Sequence, residues 1–143
     1  MKRQDLLEQL KRMLDATYFH YEWQLTWEED WPYIELKFQL VLPNQQIQPI
    51  TVLFYDLERV KIVAGDYLYA AAVDHHEGIA VGEVNAVILF LRQLLAGARV
   101  KFLESVSSEF HLEWDELAFK QFRQSLIASH RYNEQRLLFP EVE

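Results

Sequence analysis

Two stretches of alternating side chains, separated by a short acidic turn, constrain this chain more than any other feature. Phe19, Tyr21, Trp23, Leu25 and Trp27 alternate with His20, Glu22, Gln24 and Thr26. After Glu28-Glu29-Asp30-Trp31-Pro32 the pattern resumes, with Ile34, Leu36, Phe38 and Leu40 set against Glu35, Lys37 and Gln39. A period of two places every second side chain on the same side of a strand, so these stretches read as a hairpin with one apolar and one polar face. Trp23 and Phe38 are expected to point inward, Glu22 and Lys37 towards water. An antiparallel sheet of this kind needs a cover on one face only.

The elements around the hairpin supply that cover. Leu6, Leu7, Leu10, Met13 and Leu14 recur at helical spacing, with Lys2, Glu8, Lys11 and Arg12 on the other side. Pro43-Asn44 ends the second strand, and Ile50 to Tyr55 reads as a third. Residues 56–66 are either a short strand around Val60-Lys61-Ile62 or a wide turn closing at Gly65-Asp66, and Tyr67 to Val73 reads as another strand. A second helix spans about Val81 to Ala96, apolar on most sides, with Gly97 as its C-terminal cap and a further short helix over Ala98 to Val106. Phe110, Leu112 and Trp114 read as a last short strand. Asp115 reads as the N-cap of a third helix whose inner face carries Ala118, Phe119, Phe122 and Leu126. Leu137-Leu138-Phe139 before Pro140 is a segment able to dock on the body or on a partner. The expected fold is α+β: one domain over residues 1–143, with a mostly antiparallel sheet of four to five strands packed on one face by helices.

Composition restricts the function. The chain has 143 residues, 50% of them hydrophobic and 14% aromatic, with four Gly and four Pro, which suits one compact domain without a long linker. Its formal charge of −8, from 22 acidic and 14 basic side chains, opposes binding to phosphate backbones, which reward Lys and Arg through counterion release. The two basic pairs, Lys2-Arg3 and Lys11-Arg12, lie on a helix with acids between them. Neither nucleic acid nor an anionic membrane surface is therefore an expected partner. With no cysteine, disulfides, thiol nucleophiles and thiolate metal sites are all excluded. The first residues mix charges where a signal peptide would be apolar, and no apolar run approaches the ~20 residues of a membrane span. A cytoplasmic location is the expectation.

The segment Glu109-Phe110-His111-Leu112-Glu113-Trp114-Asp115-Glu116 with Phe119, together with Asp66-Tyr67-Leu68 and the helix after Glu77-Gly78, resembles a domain-of-unknown-function family of short acidic proteins from lactic acid bacteria. The resemblance runs from the first helix to Phe119. It implies a shared fold and a bacterial cytoplasmic setting, and it carries no catalytic residues to transfer. This chain departs from the family's usual pattern in having His75, His76 and His111.

Several groups of residues have the chemistry of a site. Asp74-His75-His76-Glu77-Gly78 gathers imidazoles and carboxylates that suit zinc, manganese or iron. Adjacent histidines on an extended chain point apart, however, and the spacing of a recognisable metal site is missing, so the loop is expected to be a polar turn leading into the second helix. Phe19-His20-Tyr21-Glu22-Trp23 echoes Phe110-His111-Leu112-Glu113-Trp114; two His and two Glu would share a face if those strands paired in register. Glu28-Glu29-Asp30 sit at a hairpin tip, where carboxylates are solvated rather than tuned for acid–base work. The glycines at 65, 78, 82 and 97 form no phosphate-binding loop, and no serine lies in a nucleophile elbow.

The reading that follows is a non-enzymatic protein-interaction or regulatory module with no catalytic residues and no cofactor. Its partner-binding candidates are Trp27, Trp31 and Tyr33 around the hairpin tip and Leu89 and Phe90 on the flank of the second helix. That flank also prompts the expectation of a homodimer, with the third helix as the alternative cover. Two other functions are open: a small metal-dependent enzyme using the Asp74–Glu77 loop, and an acidic DNA mimic.

Overall fold

The computed structural model describes residues 5–19, 21–41, 47–104 and 112–140. Helix α1 (Leu6–Ala16) begins at Asp5, whose side chain accepts the Glu8 N–H at 2.9 Å. Its Leu6, Leu10 and Leu14 are buried against the sheet, as the four-residue spacing requires. Strands β1 (Trp23–Glu28), β2 (Tyr33–Val41), β3 (Ile47–Asp56) and β4 (Tyr69–Val73) form one sheet in the order β1-β2-β3-β4.

The hairpin register follows the alternation. Trp23 pairs with Phe38 and Trp27 with Ile34, so the apolar members of both strands share a face. Phe38 is fully buried, and Trp23, on the edge strand, is half-buried against the same core. Glu22 is exposed and Lys37 keeps its amine in water beside Glu35. β4 runs parallel to β3, so the sheet is mixed but mostly antiparallel. Asp56 ends β3, and the connection that returns the chain to β4 contains only a short 3₁₀ turn, Ala64–Asp66, so residues 57–66 are a wide turn rather than a strand around Val60-Lys61-Ile62.

The face away from the helices is open over much of its area, but not at its centre. Ile50, Val52, Phe54 and Asp56 of β3 point to the core, so Leu53 points the other way, yet it is only 2% exposed. The β3–β4 connection lies over that outer face. Burial, and then the nearby carboxylate of Glu35, raise the Tyr67 phenol above its ordinary value, and both Glu35 and Tyr33 belong to the outer face.

The second helix, α2 (Val81–Glu104), continues through Gly97 and absorbs the separate helix expected at Ala98. A glycine cap is required only where the backbone turns to positive φ; Gly78 has φ 74°, and Gly97 stays helical. Leu112 to Trp114 are irregular, not the expected strand, and Phe110 lies outside the described residues. Ring packing holds this stretch instead: Trp114 stacks on Tyr69 at 4.3 Å and meets Phe90 at 4.8 Å. Helix α3 (Glu116–Ala128) starts at Asp115, which accepts the Ala118 N–H, and buries Phe119 and Leu126.

The chain then turns at His130 (φ 57°) and crosses the body as a strap. Arg136–Leu137 (β6) pairs with Ile79–Ala80 (β5), burying Leu137. The carbonyls of Asn133 and Gln135 accept from Gly82 and Val81, the first N–H groups of α2, and Leu138 accepts from Leu6 at the start of α1. The tail thus docks on the body of its own chain and caps two helices with backbone.

Two glycines test this arrangement in opposite directions. A Cβ on Gly97 would meet nothing within 4 Å, so Gly97→Ala should stabilise by about 0.5–1 kcal/mol in urea unfolding. A Cβ on Gly78 would strike the Leu137 carbonyl at a positive φ, so Gly78→Ala should destabilise by more than about 1 kcal/mol.

Candidate functional site at the end of the sheet

Three connections meet where β3 and β4 end. The Asp56 N–H donates to the Pro32 carbonyl at 3.0 Å, one step beyond the Tyr33–Tyr55 pair, and the Leu57 N–H donates to Val73 at 3.3 Å. The β1–β2 turn, the exit of β3 and the loop after β4 are therefore fixed side by side. Asp56 shares the core-facing parity of Ile50, Val52 and Phe54, and its side chain is fully buried. One oxygen accepts the Glu58 N–H at 3.0 Å; the other lies 2.9 Å from His75 Nδ1 and 4.0 Å from Arg59 Nε. A buried carboxylate is tolerated only when paired and hydrogen-bonded, and these contacts supply both. An ionised carboxylate can only accept, so Nδ1 is the donor of this contact.

Of the Asp74–Glu77 group, His75 alone is drawn to another titratable side chain in this way. Asp74 accepts the backbone N–H groups of His76 and Glu77, both at 2.8 Å, and these two bonds hold its carboxyl below the ordinary range. That is a turn-forming role, completed by the Gly78 N–H on the Asp74 carbonyl. His76 is exposed, its ring edge-on to His75 at 5.2 Å. Among the described residues, no three His, Asp or Glu side chains are grouped as a metal ion would require. His20, Phe110 and His111 lie outside the described residues, and Leu112–Trp114 form no strand that could pair with β1.

The partner-binding candidates divide sharply. Trp31 is 65% exposed, and Leu57, which was not among the candidates, is 61% exposed on the other side of the Pro32–Asp56 hydrogen bond. Tyr33, on the outer face, is half-buried opposite Tyr55. Trp27 faces the core side and stacks on Phe139 of the strap at 5.5 Å. Phe90 is buried among Trp114, Phe119 and Phe122, and Leu89 is half-buried. The α2 flank that prompts the homodimer is therefore covered at Phe90 by α3 and the segment before it.

A second polar cluster joins α2, α3 and the strap. Glu83 receives two hydrogen bonds from Arg123, at 2.7 and 2.6 Å, and one from the Tyr132 hydroxyl at 3.2 Å. Arg123 also lies 4.8 Å over the Phe119 ring. The Glu83 hydrogen bonds push the guanidinium further up, while burial and then Glu83 raise Tyr132. Burial, followed by Glu83, raises nearby Tyr69 to about 12. With Ile79, Ala80, Glu134 and Arg136, the Glu83 and Tyr132 side chains line a cleft of about 480 Å³.

The family model described as "Protein of unknown function (DUF3013)" matches residues 48–141. The chain belongs to this family. A crystal structure of a conserved protein of unknown function from Enterococcus faecalis superposes with a TM-score of 0.85 at 18% identity, covering 99% of this chain and 98% of that one. At that identity the likeness is one of fold. Comparison with curated proteins finds no match. The resemblance seen in the sequence is thus membership of DUF3013; the family match begins at residue 48, after the first helix and the hairpin that the motif reading included, and takes in the strap, beyond its Phe119 limit.

Two predictions follow from the polar clusters of this DUF3013 protein. His75→Ala leaves Asp56 without its closest side-chain partner and should cost about 1–3 kcal/mol, whereas His76→Ala should stay within about 0.5 kcal/mol, both read from denaturant midpoints. The fold favours the neutral Tyr69 phenol. Its contribution is fully present below the ordinary phenol value of about 10 and is lost as pH rises through about 12. Tyr69→Phe should remove that alkaline loss of stability, monitored by circular dichroism beside phenolate absorbance.

Proposed function

We propose that this protein is a non-enzymatic interaction or regulatory module acting in the cytoplasm, and that it engages a protein partner through the end of the sheet bearing Trp31 and Leu57. The observation that carries the reading is the exposure of Trp31, 65% open to solvent on a turn pinned to β3. Tryptophan is the residue most enriched among those that dominate binding energy, because it desolvates a large area at small entropic cost. Presented on a hydrogen-bonded turn, its backbone is already fixed, which lowers the ordering cost of docking. Among the described residues, no helix is long and apolar enough to cross a membrane.

Affinity capture from the native cytoplasm tests this. Wild type and Leu117→Ala, which removes a comparably exposed leucine on α3 (66% exposed), should retain one specific protein that Trp31→Ala loses at unchanged melting temperature. Identical capture by all three proteins would remove the reading.

The alternative, a small metal-dependent enzyme using the Asp74–Glu77 loop, draws on the Asp56–His75 contact. Histidine ligands are commonly oriented by a carboxylate on the other ring nitrogen. Calorimetric titration of untagged protein with zinc and manganese separates the two readings. A stoichiometric submicromolar site abolished by His75→Ala would favour the enzyme.

A further inference from the structure

We infer that the segment docking on Trp31 and Leu57 is basic as well as apolar: a stretch of a partner protein in which Lys or Arg flank hydrophobic side chains. The inference rests on the binding role proposed above and adds the chemistry of the partner. It follows from what surrounds the two exposed apolar side chains. The β1–β2 turn contributes exposed Glu29 and Asp30, the exit of β3 contributes Glu58, and the loop after β4 contributes Asp74 and Glu77. The Lys and Arg residues on these connections are Arg59, which leans to within 4.0 Å of buried Asp56, and Lys61 further along. Asp74 is held ionised by two backbone N–H groups, and the remaining four carboxylates lie in water.

Such a rim sorts partners by charge. Like charges brought together across an interface are strongly disfavoured, while a cationic rim on the partner is drawn in and oriented before the apolar contact closes. Phosphate backbones and anionic lipid headgroups are repelled. A second copy of this chain in two-fold contact here would set the same carboxylates against one another, so the occupant is not a homodimer mate. An acidic or neutral apolar segment would satisfy Trp31 and Leu57 but leave the carboxylates uncompensated. A basic apolar segment satisfies both.

Three synthetic peptides of equal length probe this with the intact protein: one of Leu and Lys, one of Leu and Glu, and one of Ser and Lys, each followed by fluorescence anisotropy. The Leu/Lys peptide should bind, the Leu/Glu peptide should not, and the Ser/Lys peptide should bind more weakly than the first. Trp31→Ala should weaken the Leu/Lys peptide by about tenfold or more. The combined Glu29→Gln, Asp30→Asn and Glu58→Gln variant should weaken it by a similar factor, as should added salt. All four positions are exposed, and melting temperatures identify any variant that fails to fold. Equal binding of the Leu/Lys and Leu/Glu peptides would overturn the charge inference while leaving the Trp31 surface in place. Binding of Ser/Lys as tight as Leu/Lys, or indifferent to Trp31→Ala, would reduce the effect to bulk acidity and overturn it, as would no binding of Leu/Lys. The Trp31-dependent capture experiment decides the underlying binding role separately.

Discussion

The capping of α2 by the C-terminal strap is the interaction on which the rest of the architecture depends. α2 starts directly after β5, with Ala80 where a capping side chain would stand, so its first N–H groups need acceptors from elsewhere. The carbonyls of Asn133 and Gln135 provide them, and the Leu138 carbonyl serves α1 in the same way. A buried N–H left without an acceptor costs about 1–3 kcal/mol, so the strap binds to the body through groups that every sequence possesses. Its side chains then follow. Tyr132 lies so close to Gly82 that a Cβ there would come within 2.8 Å of the ring, and the same tyrosine reaches Glu83. Phe139 finishes on Trp27, which ties the edge strand of the sheet to the end of the chain.

How much of this could be read from the sequence depended on whether a contact leaves a periodic trace. The hairpin did: two alternating runs in step specify register because a slip by one residue would turn every side chain over. The caps Asp5 and Asp115 lie where short acceptors precede helical stripes, although Asp5 was not singled out. The strap left no trace, since a two-residue strand has no period and its principal bonds are made by carbonyls. The parallel placement of β4 was equally hidden, because the connection from β3 contains no helix to announce a crossover. Leu53 held a partial signal: an apolar residue on the polar parity of a strand implies that something covers the second face. Three alternating residues at Phe110, Leu112 and Trp114 were too few to distinguish a strand from an irregular stretch anchored by one ring.

The same division applies to the site. The position of Trp31 on a tight turn between two strands was enough to mark it as exposed. Trp27, four residues earlier, has the parity of Leu25 and Trp23 and belongs with the core. Phe90 was ambiguous because what covers it comes from a segment more than twenty residues away. Asp56 is the instructive omission. Its parity with Ile50, Val52 and Phe54 predicts burial, and a buried acid implies a partner; ending the strand at Tyr55 and leaving Asp56 to the stretch that follows concealed its link to His75.

Three carboxylates of the protein are closed on partners within the fold. Glu83 is held by three donors, Asp56 by an amide, His75 and a more distant Arg59, and Asp74 by two amides of its own turn. Each of these carboxylates fastens one connection to another. By contrast, Trp31 and Leu57 stand in water, on backbone already fixed by the Pro32–Asp56 bond. In the binding role proposed for that surface, docking would cover it, and the carboxylates around it would favour a basic covering segment.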